Sequence, residues 1–307
     1  MSDATFAPGM PGPASAPDGP VRAFLRVVVI EHSVFALPFA YVSTLAASFN
    51  ASRSVHWLDI ALVTVAMVAA RTFAMATNRI IDRKIDGRNP RTAGRELVTG
   101  VVSVRTAAVG AAIALVVFCG SAAALSWLCL ALAPFAVAPL VVYSYAKRFT
   151  NFPHAVLALA QAVAPVGAWI AITDRWSWAA VVLGVAVGTW IAGFDLIYSC
   201  QDAEVDRGIG VGSVPARFGV HAALTASIVT HVVTFVLFVV FGLMENFGLW
   251  WWAGLTVTAA AFCYEHAIVS ADDLSRVNRA FLTANGFVGI ALFGFAVIDL
   301  VSRGLTW

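Results

Sequence analysis

The chain has 307 residues, of which 60% are hydrophobic and only 12% charged, and its mean hydropathy is +0.85. Soluble domains average about 45–50% apolar and about 25% charged residues, so both numbers point to a bilayer and exclude an intrinsically disordered chain or a disulfide scaffold. The net charge of +2 is uninformative as a total, because in a membrane protein the placement of charge carries the information. Residues 1–23 are rich in Pro, Gly and Ala and have no apolar run, which predicts a disordered tail ahead of a single domain over 24–307.

A helix needs about 20 apolar residues to cross about 30 Å of hydrocarbon. By that measure nine spans are expected: Val34–Phe49, Leu58–Thr77, Ala107–Leu125, Trp127–Tyr145, Ala155–Thr173, Trp178–Tyr198, Ala222–Leu243, Leu249–Tyr264 and Phe281–Leu300. Laid across a membrane in alternating directions, they send Arg22 and Arg26, the seven basic residues from Arg79 to Arg105, Lys147 and Arg148, Arg207 and Arg217, and Arg276 and Arg279 to one side. Only Arg53, Arg175 and Arg303 fall on the other, and Arg71 lies inside the second span. Fifteen against three is the positive-inside pattern, and it predicts that the connections after even-numbered helices face the cytoplasm. Cys119, Cys129, Cys200 and Cys263 have no metal or redox spacing and read as buried free thiols.

Two of the cytoplasmic connections concentrate acid, with seven of the 17 Asp and Glu residues between Asp82 and Glu96 or between Asp195 and Asp206. Asn78, Asp82 and Asp86 recur every four residues, so they line one face if the second helix continues beyond the bilayer, about 6 Å apart per step. At the end of the sixth span, Asp195, Asp202 and Asp206 share a helical face by spacings of seven and four. Like charges so placed repel, and a solvated helix end with Arg79, Arg83, Lys84 or Arg207 as salt-bridge partners is the plain alternative. Two such stretches on one side favour an interfacial cavity instead. Its carboxylates would hold Mg²⁺ against a diphosphate, since that cation takes one or two carboxylates together with water and phosphate oxygens.

With these motifs in view, Asn78-Arg79-x-x-Asp82-x-x-x-Asp86 and Asp202-x-x-x-Asp206 resemble the UbiA superfamily of intramembrane prenyltransferases. The blocks Asn89-Pro90-Arg91-Thr92-Ala93-Gly94-Arg95, Tyr143-Ser144-Tyr145-Ala146-Lys147-Arg148 and Ser213-Val214-Pro215-Ala216-Arg217-Phe218-Gly219 are similar too, and the likeness runs from Glu31 to Asp299. It is nearest to the bacterial 4-hydroxybenzoate polyprenyltransferase-like branch. Segments Glu31–Phe39 and Tyr264-Glu265-His266 look like the subgroup linked to futalosine-route menaquinone synthesis. Many members have Asn-Asp where this chain has Asn78-Arg79, which leaves Asp82 and Asp86 to supply the first motif's carboxylates.

The resemblance implies an all-α integral membrane protein: nine transmembrane helices around a central cavity, with a cytoplasmic cap, in the bacterial inner membrane. Its partners would be a polyprenyl diphosphate, an aromatic carboxylic acid and the lipid bilayer, with no nucleic acid. Asp82, Asp86, Asp202 and Asp206 would hold Mg²⁺, and Lys147, Arg148, Arg91 and Arg95 would neutralise phosphate oxygens. An ionisable residue inside a span points to a functional cavity, so Arg71, on the face of Asn78, is a candidate for the acceptor's carboxylate or for a structural ion pair. Asp195 and Tyr198 are candidates to bond the acceptor or orient a neighbour. Glu31 and His32 read as capping or snorkelling groups, and Trp250-Trp251-Trp252 as an interfacial belt. The run Gly208-Ile209-Gly210-Val211-Gly212 reads as a flexible cap loop, since no strand precedes it. A transporter would place its acids near the midplane in broken helices, and prenylation of a non-aromatic acceptor such as haem or a glycerol phosphate stays open.

Overall fold

The computed structural model describes residues 36–307; the expected tail, Arg22, Arg26, Glu31, His32 and the start of the first span lie outside the described residues. Among the described residues nine long helices occur: α1 (Leu37–Ala51), α2 (Trp57–Asp86), α3 (Val104–Leu125), α4 (Trp127–Ala146), α5 (Pro153–Thr173), α6 (Trp178–Ser199), α7 (Val220–Met244), α8 (Leu249–Ile268) and α9 (Asn285–Ser302). There is no strand among them, only an isolated bridge from Ser54 to Thr306. Seven of these helices are long and apolar enough to cross a membrane. The other two are α1, described over 15 residues, and α8, whose tryptophans, Glu265 and His266 lower its hydropathy. The protein is therefore an all-helical, multi-pass membrane protein.

The two ends of the bundle are identified by contacts between connections. At one end Gly212 N donates to Lys147 O at 2.7 Å and Asn89 Nδ2 to Asp202 Oδ1 at 2.9 Å, so the connections after α2, α4 and α6 meet. At the other, Asn50 Nδ2 donates to Glu245 Oε2 at 2.6 Å and Val55 N to Thr306 O at 2.9 Å, joining the connections after α1 and α7 to the C-terminus.

The bundle is solid on one side and hollow on the other. Phe39 of α1 stacks on Phe238 of α7 at 5.4 Å and meets the edge of Trp190 of α6 at 5.1 Å; Trp251 of α8 and Leu292 of α9 complete this core. Lipid is as apolar as leucine, so helices in a bilayer associate through close packing rather than water exclusion. Gly184 and Gly188 of α6 supply it: a Cβ at either would lie within 2.4 Å of the Ala162 or Ala158 carbonyl of α5. Gly188→Ala is expected to force α5 and α6 apart at about 1–3 kcal/mol, read as a lower Tm in detergent. An unchanged Tm would show that this contact does not limit stability.

Some sequence expectations need correction. All four cysteines are free, but only Cys200 is buried and Cys263 is exposed, because the outward face of α8 needs only an apolar surface. The tryptophan triplet splits: Trp251 is fully buried against Phe241 and Phe247, while Trp250 is exposed. The glycine run is no free loop. Residues 208 and 209 end a short helix (Ala203–Ile209), Gly210 caps it at φ +75°, and a Cβ on Gly212 would strike the Thr150 carbonyl against which it docks.

Candidate functional site

Only five residues of α2 are buried, and two of them are Asp82 and Asp86. With no breaker before Gly87, the helix continues past the apolar stretch and presents both carboxylates inward, 3% and 4% exposed. A helix C-terminus repels anions, and both are compensated from neighbouring elements. Asp82 Oδ2 accepts from Lys147 Nζ at 2.7 Å and Asn78 Nδ2 at 3.0 Å, and its Oδ1 from Arg148 Nη1 at 2.9 Å. Asp86 Oδ2 accepts from Arg95 Nη1 at 2.7 Å.

The Asn89-Pro90-Arg91-Thr92 turn links the two motifs. Asn89 Oδ1 accepts from Arg91 N at 2.9 Å in an Asx turn, and Thr92 Oγ1 donates to Asp86 O at 2.9 Å, closing the end of α2. Arg91 binds Asp202 through both Nε, 2.8 Å from Oδ1, and Nη2, donates from Nη1 to the Tyr198 hydroxyl at 2.9 Å, and lies 5.1 Å from that ring's centroid. Burial works against the Arg91 charge, but hydrogen bonding and attraction to Asp202 outweigh it and raise its pKa. Arg91, Arg95, Lys147 and Arg148, chosen in the sequence as phosphate ligands, are all brought to the acidic motifs.

The second motif departs from the expected continuous helix. After Ser199 the chain tightens into a 3₁₀ turn (Cys200–Asp202) before the helix Ala203–Ile209. Ser199 Oγ and Cys200 Sγ donate to Leu196 O, and Gln201 Nε2 to Tyr198 O, so side chains take the carbonyls that a continuing α-helix would use. The three acids consequently meet different partners. Asp202 holds Arg91, Asp206 accepts from Ser213 Oγ at 3.0 Å, and Asp195 accepts from His154 Nδ1 at 2.7 Å.

Next to this charged end lies a cavity of about 640 Å³, enclosed chiefly by α2 to α6. Arg71, Asn78, Tyr143, Gln161 and Asp195 contribute polar groups to a wall otherwise built of residues such as Met67, Phe118, Leu132 and Phe194. Its size falls in the usual range for small-ligand sites, roughly 300–1,000 Å³. Arg71 and Asn78 share the wall, as their spacing of seven predicts, and Asn78 bridges cavity and ion cluster by its bond to Asp82. Arg71 Nε is buried without a hydrogen-bond partner, and among the described residues no carboxylate pairs with Arg71. Phe281 joins the wall from a π-helical turn (Ala280–Ala284), its ring 4.5 Å from that of Tyr198.

Among the described residues no three acidic, histidine or cysteine side chains form a ready-made metal cluster. The donor set nonetheless fits Mg²⁺, which is commonly held by one or two carboxylates with substrate phosphates completing its shell. His154, Asn89 and Ser213 are functional candidates that sequence reasoning did not single out. Asn-Pro and Ser-x-Pro mark turn and cap positions for the last two, but nothing local ties His154 to Asp195, 41 residues away.

Comparison with known proteins agrees with this geometry. The model of the UbiA prenyltransferase family matches residues 36–290. A 4-hydroxybenzoate octaprenyltransferase of Pseudomonas fluorescens is 31% identical over 80% of this chain and 82% of its own, and that of Yersinia enterocolitica 28% identical over 89% and 94%. The apo structure of a UbiA homolog from Aeropyrum pernix K1 superposes with a TM-score of 0.75 at 31% identity, covering 89% of this chain and 98% of that one. A UbiA homolog from Archaeoglobus fulgidus bound to DMAPP and Mg²⁺ shares the fold at a TM-score of 0.70 and 19% identity, over 91% and 99%. The ion-lined cavity thus sits in a multi-pass membrane prenyltransferase, and the chain belongs to the UbiA prenyltransferase family.

Proposed function

We propose that this enzyme transfers a polyprenyl group from its diphosphate to an aromatic acid of quinone biosynthesis, 4-hydroxybenzoate or 1,4-dihydroxy-6-naphthoate, on the route to ubiquinone or menaquinone. The observation that carries the reading is the junction of a large apolar cavity with four carboxylates, three of them paired to Lys or Arg. A polyprenyl tail dissolves in the apolar part, while its diphosphate stays at the charged end. Relatives named 4-hydroxybenzoate octaprenyltransferase, and a fold neighbour bound to DMAPP and Mg²⁺, support the same assignment. The catalytic unit is one domain over 24–307, with residues 1–23 outside it.

In this mechanism Asp82, Asp86, Asp202 and Asp206 hold Mg²⁺, which when bound stabilises negative charge on phosphate oxygens. Lys147, Arg148, Arg91 and Arg95 turn from the carboxylates to the diphosphate and neutralise it as the allylic C–O bond breaks. The ring carbon beside the acceptor's phenolic hydroxyl attacks the allyl cation, and the apolar wall keeps water from capturing it. Arg71 holds the acceptor's carboxylate. The four carboxylates of the two motifs lie together at one end of the bundle, which matches this chemistry and not a midplane transport site.

The test is an assay of purified protein with Mg²⁺, a series of polyprenyl diphosphates and each aromatic acid. Prenylated acid, lost on chelation, is expected; diphosphate release without product from any acid would refute the aromatic acceptor. The charged end is placed at the cytoplasmic face of a bacterial plasma membrane, crossed nine times. In a cysteine-free background, Arg88→Cys and Gly208→Cys, both at exposed positions with room for the side chain, are expected to react only with reagent that enters the cytoplasm. Labelling of the two from opposite sides would break this topology.

A further inference from the structure

α6 carries one carboxylate that the diphosphate chemistry leaves unused. Asp195 lies seven residues before Asp202, two helical turns away, and lines the cavity together with Asn78, Tyr143 and Phe194. Among the described residues it pairs with no Lys or Arg, in contrast to Asp82, Asp86 and Asp202. Each of those three faces a cationic side chain; Asp195 has only an imidazole beside it.

That imidazole is held with care. His154 is the second residue of α5, follows Pro153, and is 5% exposed. Its Nδ1 stands 2.7 Å from Asp195 Oδ2. An ionised carboxylate only accepts, so the bridging proton is assigned to Nδ1, and a neutral ring then leaves Nε2 unprotonated. Nε2 is buried and has no partner, so the side chain makes the single bond to Asp195. Asp195 Oδ1 receives no hydrogen bond from the described residues, and the side chain stays 21% exposed. The pair therefore fixes one oxygen and leaves the other available on the cavity wall.

We infer that Asp195 is the base that takes the ring proton of the aromatic acceptor, with His154 as its positioning residue. The inference rests on the aromatic prenyl-transfer reading above. When the prenyl C1–O bond breaks, its electron pair leaves with the diphosphate. The ring π electrons form the new C–C bond, leaving a cationic ring with a tetrahedral carbon. The C–H electron pair of that carbon then returns to the ring and its proton passes to Asp195 Oδ1, so the products are prenylated acid, diphosphate and a protonated carboxyl that discharges to water as product leaves. The acceptor is fixed from two sides of one cavity, its carboxylate by Arg71 and its reacting edge by Asp195. The bond from His154 orients the carboxylate on the cavity wall.

The experiment uses the full chain in detergent with Mg²⁺, a polyprenyl diphosphate, and the accepted aromatic acid with and without deuterium at the carbon that is prenylated. Asp195→Asn is expected to lower kcat by about 10²–10⁴-fold, the usual worth of a positioned base, with acceptor KM changed only a few-fold. A deuterium effect on kcat that the unsubstituted protein lacks should appear, because proton removal then limits the rate. His154→Phe should show the same signature with a smaller loss, and His154→Asn, which keeps an N–H donor, should restore much of it. If His154→Phe does not fold, Asp195→Asn and His154→Asn still decide the matter. A loss confined to acceptor KM, or a slow Asp195→Asn without a deuterium effect, would overturn the inference and make Asp195 a binding group. Absence of product from any aromatic acid with the unsubstituted protein would instead overturn the reading on which it rests.

Discussion

Asp82→Asn and Asp202→Asn should each cut turnover by about 10²–10³-fold or more, the scale on which one preorganised electrostatic group in a water-excluded site acts. The substitution keeps the side chain's shape and one acceptor oxygen but replaces the other with an NH2 that faces a donor, Lys147 or Arg148 at position 82 and Arg91 at position 202, so the cluster loses one charge and part of its hydrogen bonding. The alanine variants test something else. Asp82→Ala strands Lys147 and Arg148, and removing one partner of a fully buried pair costs about 3–5 kcal/mol. Because those side chains remain 26% and 31% exposed, the cost here should be smaller. Raising Mg²⁺ should recover part of the Asp82→Asn rate if Asp82 is a metal ligand. Near-normal turnover by either Asn variant at limiting Mg²⁺ would remove the carboxylates from the metal site.

Whether a residue's role was legible in the sequence depended on how local its partners are. The helices were readable because bilayer thickness imposes one length on apolar runs, and α4 and α6 end close to where polar residues resume, while α2 runs on through its polar end to Asp86. The first motif was readable because Asn78, Asp82 and Asp86 belong to one uninterrupted helix, whose periodicity fixes their common face. The same periodicity failed over Asp195 to Asp206, since the 3₁₀ turn rotates the later acids relative to the earlier one. His154 was unreadable for a different reason: it acquires meaning only when α5 and α6 approach over Gly184 and Gly188, and a lone histidine after Pro153 carries no trace of that contact. The pairing of Arg91 with Asp202 rather than Asp86 likewise depends on the fold of the 89–92 turn, whose charges the sequence shows but whose direction it does not.

Arg71→Lys is expected to weaken the aromatic acid specifically. Arginine offers a planar pair of donors that matches a carboxylate, whereas lysine presents a point charge on a flexible stem. Loss of one charge-assisted hydrogen bond is worth about 1.5–3 kcal/mol, or roughly a 10-fold to 150-fold rise in the acceptor's KM at about 1.4 kcal/mol per decade. The structure sharpens the expectation: Arg71 lines the cavity, its Nε lacks a partner, and no described carboxylate competes for it. A buried guanidinium held in this way is costly unless an anion completes it, so the residue's place on the wall makes most sense with an acidic ligand bound. In the proposed mechanism the prenyl diphosphate is bound by Lys147, Arg148, Arg91 and Arg95 at the far side of Asn78, so its affinity should barely move. If Arg71→Lys weakened the diphosphate and spared the acid, Arg71 would belong to the phosphate site. If it lowered only Tm, with both substrates binding normally, its charge would serve the fold, and the acceptor's carboxylate would have to be held elsewhere on the same wall.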